Sequence, residues 1–254
     1  MSETNAASEL AEWQDQLEAS LGTLHGVPWR VRVYRETHST QDIAKSFAPR
    51  PALIVADQQT AGRGRLGRSW QSAPGTAVLM SVSFPHEQQR ATHDRFSLLT
   101  GVAVAECVQE LLPDAPVRLK WPNDVMIDRR KLAGVLIESA QHAAIIGIGM
   151  NVCHSSAAEL HGTSLQAHGR TIDRAAVIQR LMARLIHTLT VEPMDEALSA
   201  WLRFASTGQR QTFEQAGQRI TGEVLDLDPD HGLIVRRDSG EIVTLPAATT
   251  SVVK

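Results

Sequence analysis

The sequence is poor in cysteine and in aromatic rings. Two cysteines, Cys107 and Cys153, stand among 254 residues, neither in a Cys-x-x-Cys pair nor in a Cys/His cluster. A disulfide framework is thereby excluded, and so is structural zinc, because His154 beside Cys153 is a pair and not a ligand set. One Tyr, five Phe and five Trp are present, so a Trp beside a glycine-rich loop carries weight. Positive charge is not in excess: 25 Lys and Arg face 28 Asp and Glu, a formal net charge of -3. That balance argues against a generally basic nucleic-acid binder. No run is long and apolar enough to span a bilayer, and no basic start precedes an apolar stretch near Met1. The expectation is a cytoplasmic protein without membrane or nucleic-acid partners. What is there is ordinary for a globular chain, 43% hydrophobic and 21% charged, and long enough for one large domain and one small one.

Periodicity supplies the elements. Residues 1–8 are polar and read as a disordered leader. Leu10, Trp13, Leu17, Leu21 and Leu24 recur on one helix face, and Gly26-Val27-Pro28 ends that helix. Val31 and Val33 alternate with Arg30 and Arg32 as in a strand. A short helix follows over Gln41 to Phe47, with Ser39 or Thr40 as its cap. Strands are expected at Ala52 to Ala56, Ala77 to Phe84, Val117 to Lys120, Val125 to Ile127, Leu132 to Glu138 and Ala143 to Ile148. Helices are expected at 95–112, 173–190 and 194–205. From Gly217 the pattern changes to short alternating strands with turns at Asp228-Pro229-Asp230, His231-Gly232 and Ser239-Gly240. That predicts a small β-barrel of SH3 size, with a boundary near Thr207-Gly208.

The segment Gly62-Arg63-Gly64-Arg65-Leu66-Gly67-Arg68-Ser69-Trp70 carries most of the chemical information. Its glycines match GxGxxG, but Trp70-Gln71-Ser72-Ala73-Pro74-Gly75 follows, where a dinucleotide fold would open a helix. No GxxxxGK[ST] phosphate loop occurs either. Three arginines within six residues instead describe an anion-binding loop, expected to be mobile when empty. Trp70 can stack on a purine. A second cluster is Lys120-Trp121-Pro122-Asn123-Asp124, followed by Lys131-Leu132-Ala133-Gly134. Pro122 stops a strand and sets the turn from which Asn123 and Asp124 project, and Gly134 permits a close approach to backbone.

Taken in order with Gly147-Ile148-Gly149-Met150-Asn151, these motifs resemble the biotin protein ligases, whose signature is a GRGRxGR loop followed by Trp, then KWPND, KLAG and a G-x-G-x-N strand end. The likeness runs from about residue 34 to the C-terminus. It implies an α+β fold: a central mixed β-sheet flanked by helices, the biotin/lipoate ligase-like catalytic domain, with a small C-terminal SH3-like β-barrel. The implied division is 1–30 as leader and helix, 31–207 as catalytic domain and 208–254 as barrel.

The resemblance also implies roles. Lys131 and Arg65 are the catalytic candidates. Ser39, Thr40, Gln59, Gly62, Arg63, Arg65, Lys131, Gly134 and Gly147 are expected to bind biotin. Arg63, Arg65, Arg68, Trp70, Asn123, Lys131 and Asn151 are expected on the ATP or adenylate side, and Asp124 is the candidate Mg²⁺ ligand. The segment His38-Ser39-Thr40-Gln41 departs from the family's D-S-T-N, keeping both hydroxyls and changing both flanks. The implied activity is formation of biotinyl-5'-AMP from biotin and ATP with Mg²⁺, then transfer to a lysine of a biotin carboxyl carrier protein. An N-terminus with one predicted helix and no recognition helix is expected to lack a DNA-binding repressor function. A lipoate ligase and a non-catalytic biotin sensor are the competing readings. An edge strand could carry a homodimer or the acceptor.

Overall fold

Hydrophobic runs that are apolar at every position, not at alternate ones, become inner strands. In the structure, a computed structural model that describes residues 3–22, 27–85, 93–153, 162–205 and 208–253, these are β2 (Ala52–Gln59), β3 (Ala77–Pro85), β6 (Arg130–Ala140) and β7 (Ala143–Asn151). They join β1 (Arg30–Thr37), β4 (Val117–Lys120) and β5 (Asp124–Ile127) in one seven-stranded sheet of order β1-β2-β3-β7-β6-β5-β4. β1 and β2 pair in parallel and every other neighbour antiparallel, so the sheet is mixed, as expected. Parallel pairing needs a crossover, and helix α2 (Thr40–Phe47) supplies it.

Both sheet faces are covered, and the side-chain alternation of β2 shows how. Leu53 and Val55 join the main core under helices α1 (Glu3–Leu21), α3 (His93–Leu111) and α4 (Arg174–Thr190). Ala52 and Ile54 point to the other side, where they pack with Ala44 of α2, Ala48 and Ile145. Helix α5 (Met194–Phe204) lies beside α3, and its Trp201 meets Trp121 edge to face at 6.3 Å. Two-residue turns with positive φ, Asp128-Arg129 and Gln141-His142, set the register of β5-β6 and β6-β7.

The C-terminal strands form a separate antiparallel sheet of order β11-β10-β9-β8-β12, from β8 (Arg210–Gln215), β9 (Gln218–Asp228), β10 (Gly232–Arg237), β11 (Ile242–Leu245) and β12 (Thr250–Val252). Its interior holds Phe213, Ile220, Val224, Leu233, Val235 and Leu245. The α+β class with a small C-terminal β unit is therefore the observed architecture. Asp94 of α3 accepts the Ala247 N–H at 2.7 Å, and Arg95 pairs with Asp230 at 3.1 Å, tying the small sheet to the large one.

Three local expectations need correction. Helix α1 begins at Glu3, not near Ser8; the polar leader holds neither Pro nor Gly, and its alanines and glutamate favour helix over a frayed end. Strand structure resumes at Arg210, before Gly217, because Ala216-Gly217 is the turn between β8 and β9. Ser39 does occupy the N-cap position of α2, but its hydroxyl makes no capping bond. The segment 62–70, read from sequence as a loop, is one, closed by a bridge between Arg63 and Ser69. Leu24, Gly26, His154 and the predicted boundary residue Thr207 lie outside the described residues.

Candidate active site

A cavity opens where the loop 62–70, the ends of β4 to β7 and the start of α2 meet. The loop closes on itself through Gly64 N–H to Arg68 O at 2.6 Å and Trp70 N–H to Gly62 O at 2.9 Å. Leu66 and Gly67 adopt positive φ at its tip. This closure carries the Trp70 indole back over the sheet, where two glycines leave room for it. A Cβ on Gly149 would lie 2.6 Å from Cε2 of Trp70, and one on Gly134 would lie 3.2 Å from its Cζ3.

Gly134 also makes space for Lys131. A Cβ there would stand 2.7 Å from the Lys131 Nζ and 2.9 Å from its Cε. Between Val125 and Met126 the β5-β6 register shifts, and that bulge faces Lys131 toward Asp124. The resulting ion pair measures 2.6 Å from Nζ to Oδ1. The same Nζ lies 5.3 Å from the centre of the Trp70 ring, within reach of a cation–π attraction.

Five cationic side chains (Arg63, Arg65, Arg68, Lys120 and Lys131) and a single carboxylate, Asp124, line this cavity among the described residues. It is built for an anion. The three loop arginines do not converge, however. Arg63 is clasped by Asp42 at 2.7 and 2.8 Å and by Glu138 at 3.3 Å. That clasp lowers the Asp42 carboxyl below its ordinary range and raises the Arg63 guanidinium further. Arg65 turns toward the small sheet and donates to the carbonyls of Ala247 and, at 3.0 Å, Thr250, with Asn123 Oδ1 at 3.5 Å. Burial depresses the Arg65 guanidinium to about 10, and the Arg68 charge adds to the fall while Asp124 opposes it. A half-buried cation held by neutral carbonyls would be stabilised by an arriving phosphate.

At the other end of the cavity hydroxyls and amides dominate. Thr40 gives both its N–H and its hydroxyl to Gln59 Oε1, at 2.8 and 3.1 Å, and its oxygen lies 2.7 Å from Ser81 Oγ. With Oε1 saturated, the Gln59 amide turns its donor end toward the loop, 3.1 Å from where a Gly62 Cβ would be. Ser39 is buried, and its hydroxyl has no partner among the described residues.

Most of the residues singled out from sequence thus come together: Ser39, Thr40, Gln59, Arg63, Arg65, Arg68, Trp70, Asn123, Asp124, Lys131, Gly134 and Gly147 all line the cavity. Gly62 and Asn151 do not. Gly62 packs against the Trp70 backbone, where a Cβ would meet its carbonyl oxygen at 2.5 Å. Asn151 donates to Thr163 O at 3.0 Å, anchoring the segment beyond β7. Of the two altered flanks, His38 faces Thr60 at 2.9 Å, and Gln41 lines the cavity. Sequence reasoning missed Ser81, Ser251 and Val252. Ser81 lies in an apolar strand with no motif, and the other two arrive from the small sheet. Lys120 and Gly149 stood inside recognised motifs, and those motifs were signal enough to have assigned them.

The geometry agrees with what the chain resembles. Residues 31–151 match the model of the biotin/lipoate A/B protein ligase family. The bifunctional ligase/repressor BirA of Bacillus subtilis is 38% identical over 155 residues, 57% of this chain and 47% of that protein, so the chain spans about half the length of such relatives. A biotin–acetyl-CoA-carboxylase ligase of Mycobacterium tuberculosis is 32% identical over 205 residues, covering 77% of this chain and 76% of that one. Among solved structures, the biotin protein ligase of Aquifex aeolicus in complex with biotin and ATP superposes with a TM-score of 0.77 at 26% identity, over 89% of this chain and 99% of that one. No helix among the described residues is long and apolar enough to cross a membrane. By the 32% identity over three quarters of both chains and by the family match, the chain belongs to the biotin/lipoate A/B protein ligase family, among its biotin protein ligases.

Proposed function

We propose that this protein is an ATP-dependent ligase that joins biotin to AMP and passes the biotinyl group to a lysine of a biotin carboxyl carrier protein. The observation that carries the reading is the position of Lys131, whose Nζ sits between Asp124 at 2.6 Å and the Trp70 ring at 5.3 Å, in a cavity lined by one carboxylate and five cations. The named ligands of the Aquifex aeolicus ligase, biotin and ATP, support it.

In this reading the biotin carboxylate attacks the α-phosphorus, and the bond to the β-phosphate oxygen breaks, releasing pyrophosphate. Two anions must meet, and Lys131 with Arg65 and Arg68 screens their repulsion. An acceptor lysine amine then attacks the acyl carbon, loses a proton, and displaces AMP. No enzyme nucleophile is required. Ser39, Thr40, Gln59 and Gly147 hold the biotin end, while Trp70 and Asn123 face the nucleotide. Gly62 and Asn151 support the loop and the strand end.

Asp124 is the single carboxylate lining the cavity among the described residues, and the oxygen that Lys131 does not hold is suited to Mg²⁺ arriving on the nucleotide phosphates. The ion would supply charge neutralisation at the phosphates. Residues 31–207 would house this chemistry, with 208–254 a distinct SH3-like unit lending Ser251 and Val252 to the cavity. The reading includes no DNA-binding role, in keeping with a formal net charge of -3.

The test is direct. The protein is incubated with ATP, Mg²⁺, a biotin carboxyl carrier domain and either biotin or lipoate, and the carrier is weighed. One added biotinyl group supports the reading. A lipoyl adduct alone, or no adduct with biotin consumed by neither step, rejects it. Gly149→Ala supplies a finer check on the nucleotide side. The new methyl would lie 2.6 to 2.8 Å from three Trp70 ring atoms, and a rigid ring cannot yield cheaply. Overpacking of about 1–3 kcal/mol should raise the KM for ATP by roughly tenfold or more. An unchanged KM would remove Trp70 from the nucleotide wall.

A further inference from the structure

Ala247, in the turn between β11 and β12, is fully buried and held on both sides by charged residues. Its N–H goes to Asp94 Oδ1 at 2.7 Å. Its carbonyl accepts from the Arg65 guanidinium, which also reaches Thr250 O at 3.0 Å. A single turn of the small sheet thus joins the first turn of α3 to the glycine-arginine loop. Ser251 and Val252, which follow Thr250 directly, line the cavity. The turn is the back of the wall on which Arg65 rests.

Asp94 is the less expected partner. It is 8% exposed and sits in the first turn of α3, where the helix dipole favours a carboxylate. A buried carboxylate needs donors or a cation. Its neighbour His93 in the neutral form supplies neither. His93 Nε2 lies 3.1 Å from Ile137 O, so the ring proton sits there, and Nδ1 turns a lone pair toward Asp94 Oδ1 at 3.8 Å. Arg65 is the cation that fits. Burial drives its guanidinium down to about 10, and the charges of Asp124 and Asp94 oppose that fall. Asp94 therefore meets Arg65 twice, through the residue both of them hold and through its charge. The small sheet has a separate fastening beside it, Arg95 to Asp230 at 3.1 Å.

We propose that Asp94 is a positioning residue for the reaction: by holding Ala247 it sets the carbonyls that receive Arg65, and so keeps the loop closed over the adenylate. The inference rests on the ligase reading above and deepens it, giving a residue outside the recognised motifs a part in retaining the intermediate. Asp94 does not line the cavity, so its effect has to pass through Ala247 and Arg65. A residue that only braced the fold would act in the same way whether Arg65 were present or not.

The experiment is a double-mutant cycle read by release of adenylate. Each enzyme is loaded with biotinyl-5'-AMP, and dissociation is followed by rapid filtration. Asp94→Ala should release adenylate about tenfold faster than wild type, the scale of one charge-assisted hydrogen bond. In an Arg65→Gly background the same change should alter release by less than about twofold, because contacts that act as one unit are not additive. Release from Asp94→Ala at the wild-type rate overturns the proposal. So does an equal acceleration in both backgrounds, which would leave Asp94 as a brace of the fold. Should Asp94→Ala fail to fold, Asp94→Asn carries the cycle. It keeps an acceptor for the Ala247 N–H and gives up the charge, and should speed release about threefold with Arg65 present and not without it. An unchanged rate, or the same acceleration in both backgrounds, again overturns the proposal. Wild type that retains no biotinyl-5'-AMP overturns the ligase reading instead, and the inference with it, so the two failures are told apart.

Discussion

Lys131→Ala should lower the rate of adenylate formation by about 10²–10³-fold, the loss typical of removing one preorganised group that meets developing charge. The structure gives the reason for so large an effect. Lys131 Nζ occupies the space left by the missing Cβ of Gly134, and its pairing with Asp124 and its place over Trp70 hold it there before any ligand arrives. Little reorganisation is then needed when carboxylate and phosphate are brought together. The fold should survive. The Lys131 side chain is one-third exposed and Asp124 about a quarter, so the carboxylate left behind can be solvated. The measurement is biotin-dependent exchange of pyrophosphate into ATP, with thermal unfolding as the control. Near-normal exchange would take Lys131 out of the mechanism.

Arg65→Gly should release biotinyl-5'-AMP at least roughly tenfold faster and label bystander lysines, since each charge-assisted hydrogen bond lost is of the order of 1.5–3 kcal/mol. Arg65 is the tether between the loop and the small sheet. Its guanidinium reaches the carbonyls of Ala247 and Thr250 and lies near Asn123, so one side chain fastens the loop to two other parts of the protein. Ser251 and Val252 line the cavity just beyond that tether. Without it the loop keeps its own closure from Gly62 to Trp70 but loses its attachment to the C-terminal wall. A reactive anhydride kept behind that wall is protected from water and from stray amines. Single-turnover filtration of adenylate from enzyme reads the release rate directly. Release no faster than wild type would show that the loop is not what retains the intermediate.

The strands were legible because their hydrophobic runs are long, β-branched and bounded by Gly, Pro or Asp turns, as at 77–84 and 143–148. The helix over Gln41 to Phe47 could be read from its apolar spacing, and the β5-β6 turn was expected over Asp128-Arg129-Arg130, one residue too long because Arg130 already pairs with Ile127 in β6. The N-terminal end of α1 was not, because polar residues with good helix propensity look the same as a frayed leader until tertiary packing extends the helix. The site was legible wherever a motif is contiguous: the GRGRxGR loop, the KWPND turn and the KLAG strand each keep their chemistry within a few residues. It was illegible where contacts join distant segments. Ser81 meets Thr40 across 41 positions, and Arg65 meets Thr250 across 185.

By itself, then, the sequence determined the family, the mixed sheet with its small β partner, and a concentration of positive charge on a glycine loop. Tertiary structure decided how that charge is used. Two arginines two positions apart part company, Arg63 to Asp42 and Glu138 and Arg65 to the C-terminal carbonyls, because a guanidinium goes to whatever acceptors the surrounding fold brings within reach. Only the packing of α2 over the sheet could reveal that the Gln41 amide donates to Glu138 on β6. Hydrogen-bond direction depends on partners far away along the chain, and no local pattern encodes it.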